Sequence, residues 1–273
     1  MAPVSATARD PQTPARAISP ALSEFAYWMT HYRRTWRGSI VISVLNPLLF
    51  FLGIGVGLGR LIDHNPAAPL HHVSYLAFLA PGLLAAMAMQ TGTIESVMSV
   101  YQSIRMRGNY RVAALTTLSP TDILSGHLLF VLFRIASSSA AFLVVLLCAG
   151  LAASPLVVLA LPAAVLTGLA FAIPFMTLGV SVTSEETVRG VYRFLIMPLY
   201  LFSGTYVAVN QLPAVIRPVA YALPLWHGVQ LCRGLALGTL SAGGALLHTG
   251  YLCIVCAAGL LTARAMYRRH LHD

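Results

Sequence analysis

Residues 122–150 read DILSGHLLFVLFRIASSSAAFLVVLLCAG, and this apolar stretch decides the fold class. A helix needs about 20 predominantly apolar residues to cross a hydrocarbon core about 30 Å thick, and this stretch exceeds that length. Its apolar residues are continuous and do not alternate with polar ones as in a strand of a membrane barrel. Because lipid offers the backbone no hydrogen-bond partner, we expect a transmembrane α-helix here.

Five further stretches share this character. The six predicted spans lie at about residues 40–59, 73–97, 122–150, 156–182, 191–208 and 245–265. Of the 273 residues, 58% are apolar and 9% are charged, whereas a soluble protein carries about 25% charged residues. The composition therefore excludes a water-soluble fold and predicts an all-α integral membrane protein with six transmembrane helices.

The net charge of +9 comes from arginine, because the chain contains no lysine. With both termini in the cytoplasm, 13 of the 17 arginines lie in cytoplasmic segments and three in outer segments. This asymmetry follows the positive-inside rule, and it predicts a multi-pass protein with both termini in the cytoplasm. The absence of lysine and the abundance of alanine and arginine indicate a GC-rich bacterial genome, so the expected location is the bacterial cytoplasmic (inner) membrane. Because the arginines flank the spans, they indicate orientation in the lipid bilayer and not binding to nucleic acid.

The segment before the first span, residues 20–38, is predicted to form an amphipathic helix at the membrane interface. Ser19 suits its N-cap and Pro20 its first turn. Aromatic residues recur at helical spacing beside arginines, a combination that favours the headgroup level of a bilayer. Residues 1–19 are rich in Pro, Ala, Ser and Thr and are expected to form a disordered cytoplasmic tail, which leaves residues 20–273 as one membrane domain.

Alternate positions of the predicted first span are glycines: Gly53, Gly55, Gly57 and Gly59. The dinucleotide-binding pattern G-x-G-x-x-G fails, because Leu58 stands at its third glycine position and no βαβ context surrounds it. Glycines four residues apart share one helix face and let another helix approach closely. They are therefore predicted to pack helices together, within a protomer or between protomers.

Residues 98–121, between the second and third spans, form a cytoplasmic segment too long for a tight turn. We predict a short helix from Ser103 to Leu115, interrupted by Gly108. Its arginines are Arg105, Arg107 and Arg111. A structured loop with basic and apolar residues suits the docking of a soluble partner, and an ordinary solvated loop is the alternative.

The third span starts with several helix N-terminal signals. Ser119 suits the N-cap, Pro120 the first turn, and Asp122 faces the positive end of the helix dipole. These residues are therefore predicted to mark the start of the span.

Residues 209–244 lie on the predicted outer side and are largely apolar, which is unusual for a solvated loop. Apolar segments of about 10–14 residues are too short to span a membrane and are typical of re-entrant or interfacial elements. We predict two short re-entrant external helices, at about residues 211–222 and 225–236, with Trp226 at the interface.

The candidates for intramembrane polar contacts in the predicted spans are Glu95, His127 and Arg134. A charge near the bilayer centre costs about 3 kcal/mol or more. Arg134 is the deepest, about 15–20 Å along the third span, so it must face protein, water or an anionic headgroup. Glu95 and His127 lie near the cytoplasmic boundary of adjacent spans and are candidates for a pair. A packing role and a gating or substrate-binding role both remain open.

The chemistry of an ATPase is missing from this chain. A P-loop needs a lysine to reach the β- and γ-phosphates, and the chain has none; G-x-S-x-G and H-E-x-x-H motifs are also absent. We therefore expect no enzyme activity, no metal site and no cofactor bound by the chain itself. A membrane protein without its own ATPase site either receives energy from a partner protein or has a passive or structural role.

Several motifs carry a resemblance to a known family. In chain order they are FLGIGVGLG at 51–59, YLAFLAPG at 75–82, LSPTDILSG at 118–126, LFSGTY at 201–206, NQLP at 210–213, and PLWH at 224–227 followed by Arg233. With this order and spacing, the chain from about residue 22 resembles the permease subunits of ABC type-2 exporters. The resemblance is strongest to the NodJ-like permeases and their drug- and glycolipid-exporting relatives.

The resemblance implies a set of helices and partners. An amphipathic helix precedes the first span in this family, a cytoplasmic coupling helix follows the second, and two external helices precede the last; here they map onto residues 20–38, 101–114 and 209–236. It also implies a cytoplasmic ABC ATPase subunit in two copies, which binds ATP and Mg, and a second permease protomer in a homodimer. The two protomers are expected to pack through the first and fifth spans.

On this basis the chain is expected to move an amphiphilic or lipid-linked cargo outward, such as a lipo-oligosaccharide, a glycolipid or a hydrophobic drug. The residues expected to couple it to the ATPase are Arg105, Arg107 and Arg111. The residues expected in an external gate are Pro213, Pro224, Trp226, His227 and Arg233. A non-transporting membrane scaffold is one alternative. An intramembrane transferase is another, but its acid–base groups would have to converge at one depth.

Overall fold

The computed structural model of the chain describes residues 19–40, 45, 48–49, 51–58 and 74–272. Helices make up the architecture, and the described residues contain no β-strand. The predicted first span is described in part, and the π-helical stretch Phe51–Leu58 is its longest described part. The predicted tail also lies outside them, apart from Ser19.

The α-helices of the described part have the following bounds. They are α1 (Pro20–Ile40), α2 (Tyr75–Tyr101), α3 (Asn109–Ala114), α4 (Pro120–Cys148), α5 (Ala160–Ser181), α6 (Glu185–Val191), α7 (Met197–Phe202), α8 (Arg217–Ala222), α9 (Pro224–Leu237) and α10 (Ala242–His272). Helix α1 begins at Pro20, as the sequence predicted. The π-helical turns Gln102–Met106 and Tyr192–Ile196 extend α2 and α6.

Among the described residues, four helices are long and apolar enough to cross a membrane, namely α2, α4, α5 and α10. They correspond to the predicted second, third, fourth and sixth spans, and they confirm an all-helical fold of the membrane type. At the predicted fifth span, residues 191–208, the helical stretch begins earlier than expected, with α6 at Glu185, and ends earlier, with α7 at Phe202. Gly204 then takes a left-handed conformation (φ 83°), which glycine adopts without a Cβ clash.

The N-terminus of α4 confirms the predicted cap. The backbone N–H of Asp122 donates to Ser119 Oγ (3.2 Å), and the N–H of Ser119 donates to Asp122 Oδ2 (3.0 Å). This reciprocal arrangement is a capping box, and Pro120 occupies the first turn. The start of α4 is therefore fixed by local sequence.

Helix α2 lies at the centre of the bundle, with most of its side chains buried, whereas α10 leaves residues such as Leu246 and Ile254 exposed. Helices α2 and α5 pack closely where Gly92 meets Gly168. A Cβ on Gly92 would lie 2.5 Å from the Gly168 carbonyl oxygen, a distance that side chains do not tolerate. Small residues at this crossing thus let the two backbones touch.

Two ends of the bundle can be distinguished. At one end, Tyr110 of α3 contacts His127 near the start of α4 and Tyr267 near the end of α10 (ring centroids 6.0 and 5.9 Å apart). At the other, the N–H of Ala153, between α4 and α5, donates to the Ala236 carbonyl of α9 (2.9 Å). We call these the arginine end and the α9 end, because α3 and the last turns of α10 carry exposed arginines.

Candidate functional site

The docking segment, residues 102–115, lies at the arginine end between α2 and α4. It consists of the π-helical turn, a left-handed Gly108 (φ 67°) and α3. The positive φ favours glycine, so the helix breaks where the sequence predicted. The basic side chains predicted to contact a partner are all exposed on this segment: Arg105, Arg107 and Arg111.

Apolar side chains on the same segment are exposed as well. Met106, Val112 and Leu115 are 66%, 64% and 87% exposed. Apolar groups exposed beside polar ones outside the membrane spans are typical of protein–protein contact sites. Only the arginines of this segment were predicted as individual contact residues. The sequence feature that could have identified them is the presence of three apolar residues in a basic segment that lies outside any predicted span.

Behind the docking segment, buried and half-buried polar and aromatic side chains join α1, α2 and α4 to α3. This inner cluster comprises Glu24, Trp28, Tyr32, Glu95, Tyr110, His127 and Arg134. Helix α1 reaches it by packing along α4 near Gly126, where a Cβ would lie 2.6 Å from the Glu24 Cβ. The cluster therefore connects the predicted amphipathic helix, two long helices and the docking segment.

The three ionisable residues predicted inside the spans all belong to this cluster, but they pair differently from the prediction. Arg134 Nε–H donates to Glu95 Oε1 (2.8 Å), and its Nη1 donates to the Tyr32 hydroxyl (3.0 Å). The guanidinium also lies 4.7 Å from the centroid of the Tyr32 ring. The Glu95 carboxylate pairs with Arg134 and not with the His127 imidazole, because the long Arg134 side chain reaches it across the α2–α4 interface. Arg134 faces protein.

His127 instead occupies a cage of aromatic rings. The Trp28 indole stacks on its imidazole, with centroids 4.1 Å apart and planes 9° apart. A hydrogen bond joins His127 Nδ1 to the Tyr110 hydroxyl. On the far side of Trp28, its Nε1–H donates to Glu24 Oε1 (2.8 Å). A continuous chain of contacts thus runs from α3 through α4 to α1.

Replacing Glu24 by glutamine is expected to leave the protein as stable or more stable. Burial raises the pKa of Glu24, against the opposing effect of the Trp28 hydrogen bond, so the folded state disfavours the charged form. The stability that protonated Glu24 contributes is therefore present at low pH and is lost as pH rises through its raised pKa. The amide of the glutamine would keep an oxygen acceptor for Trp28 without ionising. At pH 8 we expect the melting temperature in detergent to rise by about 2 °C, with a smaller difference at pH 5.

The matched control is Glu186→Gln, since Glu186 is exposed on α6. It should leave the melting temperature unchanged at both pH values. A Glu24→Gln protein that melts several degrees lower at pH 8 would show that the carboxylate charge stabilises the cluster, contrary to this expectation.

At the α9 end, Arg233 is buried and anchored to backbone carbonyls. Its Nε–H donates to the Phe78 carbonyl (3.0 Å) and its Nη2 donates to the Gly204 carbonyl (2.9 Å). The guanidinium lies 3.6 Å from the centroid of the Phe78 ring. Gly82 leaves room for it, because a Cβ there would lie 2.9 Å from Nη2. Arg233 thus holds α9 to α2 and to the turn at Gly204.

His227 connects α9 to the start of α10. Its Nδ1 lies 2.8 Å from Nδ1 of His248, and the Tyr251 ring stacks on it (3.9 Å, 13°). Burial, and then the neighbouring His248, lower the pKa of His227 to about 4. His227 is therefore neutral at pH 7 and able to share a hydrogen bond with His248.

The remaining predicted gate residues lie on α9 or before α8. Trp226 is half-buried and packs edge-on against His248 (5.2 Å), Pro224 is the first residue of α9, and Pro213 is exposed before α8. Helix α8 begins only at Arg217, so the first external helix is shorter than predicted, whereas α9 closely matches the second. Pro218, at the start of α8, suits a helix that begins there.

Two of the predicted packing glycines of the first span, Gly53 and Gly57, make no such close contact with the part of the chain that the structure describes. A Cβ on Gly53 or Gly57 would meet no heavy atom of the described residues within 4 Å. The packing of Gly55 is not described, and Gly59 lies outside the described residues. Their packing against a second protomer stays a prediction.

The three described acid–base groups considered for an intramembrane transferase do not converge at one depth. His227 lies at the α9 end, while Glu95 and His127 lie in the inner cluster near the arginine end. The Glu95 carboxylate is also engaged by Arg134. The geometry therefore gives no support to the transferase alternative.

Comparison with known proteins gives one family match. The model of the family described as "ABC-2 type transporter" matches residues 24–237. This range begins within α1 and ends with α9, so it includes the docking segment, the inner cluster and Arg233.

Nodulation protein J of several nodulating bacteria is similar over most of the chain. The protein of Rhizobium leguminosarum bv. trifolii is 30% identical over 259 residues, which cover 92% of this chain and 95% of that protein. That of Rhizobium leguminosarum bv. viciae is 29% identical over 255 residues (89% and 95%). That of Sinorhizobium fredii is 28% identical over 251 residues (89% and 94%).

Proposed function

The chain belongs to the ABC-2 type transporter family, and we propose that it is the membrane-spanning permease subunit of an ATP-driven exporter. The observation that carries this proposal is the docking segment, with its exposed arginines and exposed apolar side chains at one end of the bundle. Because the chain contains no lysine for a P-loop, ATP and Mg bind to a separate ABC ATPase. Two copies of that ATPase take part, and they dock on this surface of the two permease protomers.

The proposed arrangement has six spans, both termini in the cytoplasm of a bacterial inner membrane, and two identical protomers that pack through the first and fifth spans. Helix α1 lies at the inner interface, and α8 and α9 are re-entrant from the outer side and gate the exit. The distribution of arginines supports this orientation. The gathering of α3, the start of α4 and the end of α10 at one end of the bundle supports it as well.

The proposed cargo is an amphiphilic or lipid-linked molecule that enters laterally from the membrane. An apolar cavity of about 290 Å³ between α2 and α6 supports this class of cargo. Its wall includes Ile94, Val97, Met98 and Val188, with Arg189 among the lining residues. Apolar walls suit an acyl or drug-like group, and a cation suits a polar headgroup.

The test is copurification followed by ATP hydrolysis in lipid. The chain should copurify with an ABC ATPase subunit when it is expressed in its own organism. The complex in nanodiscs should hydrolyse ATP faster when a lipo-oligosaccharide, a glycolipid or a hydrophobic drug is added singly. If no ATPase copurifies with the chain, the result favours the alternative of a non-transporting membrane scaffold. If none of the three amphiphiles changes the rate of ATP hydrolysis, the result contradicts the proposed cargo class.

A further inference from the structure

Tyr110 is the one residue of α3 that is buried, and it is fully inaccessible. The other residues of this six-residue helix are exposed or half-buried. A helix this short has little stability of its own, so its position depends on what its buried side chain contacts. Tyr110 is therefore the point at which the docking segment is fastened to the bundle.

The contacts of Tyr110 reach three other helices. Its hydroxyl bonds to His127 Nδ1 on α4, and its ring packs against Tyr267 on α10 (5.9 Å). Through His127 the contact extends to Trp28 on α1, which stacks on the imidazole (4.1 Å). All of these residues are at most 2% exposed, and close-packed interiors transmit displacement because they are nearly incompressible. A shift of α3 must therefore move α4 and its neighbours.

We infer that Tyr110, through its hydrogen bond to His127, is the positioning residue that transmits movement of the docked ATPase to α4, and through Trp28 to α1. This inference rests on the proposed function, because it assumes that the ATPase grips the docking segment. It differs from the docking proposal in the surface involved. The arginines and the apolar residues around them bind the ATPase, whereas Tyr110 faces inward and transmits the movement of the bound ATPase to α4.

The test compares Tyr110→Phe with the parent chain in the ATPase complex, reconstituted in nanodiscs. Removing the hydroxyl keeps the ring and deletes the bond to His127. The reporter is a spin label on Cys148, the exposed last residue of α4, in a chain with Cys253→Ser and Cys256→Ser. Cys232 is buried and stays in place. The readout is the change in label spectrum when ATP, Mg and vanadate trap the ATPase.

In the Tyr110→Phe complex, we expect the same amount of trapped nucleotide but less than half of the parent's spectral change at Cys148. Tyr101→Phe is the matched control, because it removes a hydroxyl from another buried tyrosine beside the docking segment; it should behave like the parent. In addition, His127→Asn, which keeps a polar atom near the Nδ1 position, should retain more of the change than His127→Leu.

The outcomes separate this inference from the proposed function. A full spectral change in Tyr110→Phe would overturn the inference and leave docking intact. Loss of the ATPase from Tyr110→Phe would also overturn it, because Tyr110 would then shape the docking surface itself. If the parent chain binds no ATPase, or shows no spectral change on trapping, the proposed function fails before any variant is compared.

Discussion

A triple variant with Arg105→Glu, Arg107→Glu and Arg111→Glu is expected to insert normally into the membrane and to lose its ATPase partner. The three side chains are exposed on the docking segment, and each substitution replaces a positive charge by a negative one. Like charges placed across an interface cost several kcal/mol. We therefore expect copurified ATPase to fall by at least about tenfold, since about 1.4 kcal/mol changes an equilibrium tenfold.

The matched control replaces three other arginines by glutamate: Arg264, Arg268 and Arg269, which are exposed near the end of α10. It makes the same change in charge at the same end of the bundle, and the ATPase should remain bound. Insertion is checked in both variants by labelling Cys148 in intact cells with a membrane-impermeant maleimide. A triple docking variant that still copurifies with its ATPase and transports would contradict the assignment of residues 102–115 as the docking segment.

The sequence predicted those features of the fold that depend on neighbouring residues. The length of the apolar stretches predicted α2, α4, α5 and α10. Ser119 and Asp122 predicted the start of α4, because a capping box forms between residues three apart in sequence. Gly108 predicted the break before α3, because a left-handed conformation favours glycine.

Features that depend on distant residues were not predictable in the same way. The sequence placed Glu95, His127 and Arg134 inside the membrane, but their partners depend on how α1, α2 and α4 are rotated relative to one another. The close crossing of Gly92 and Gly168 was missed, because single glycines in two helices do not show that the helices meet there. The alternating glycines of the first span were a more conspicuous pattern.

Arg233 shows the same division between sequence and structure. The PLWH motif at 224–227 and the arginine six residues later supported the family resemblance. Nothing in their spacing indicates that the guanidinium bonds to the carbonyls of Phe78 and Gly204. The residue expected in a gate proves to be a buried anchor between α9 and α2, and its part in gating stays a prediction.

Replacing Arg134 by leucine is expected to destabilise the bundle strongly. The substitution leaves the Glu95 carboxylate without its guanidinium partner in a largely buried position, where its side chain is 20% exposed. Removing one member of a buried ion pair costs about 3–5 kcal/mol. For a chain of this size, that corresponds to a fall in melting temperature of about 6 °C or more. The measurement is thermal unfolding in detergent by size-exclusion chromatography with fluorescence detection.

The double variant Arg134→Leu/Glu95→Leu decides between the two roles that the sequence left open for this pair. Because it removes both charges, it should recover most of the lost stability, as apolar replacements of buried ion pairs often do. Additive losses in the double-mutant cycle would instead show that the two residues act independently. If the pair serves only packing, amphiphile-stimulated ATP hydrolysis should return together with stability. Recovery of stability without recovery of hydrolysis would assign Arg134 and Glu95 to the transport cycle, since packing alone cannot separate the two measurements.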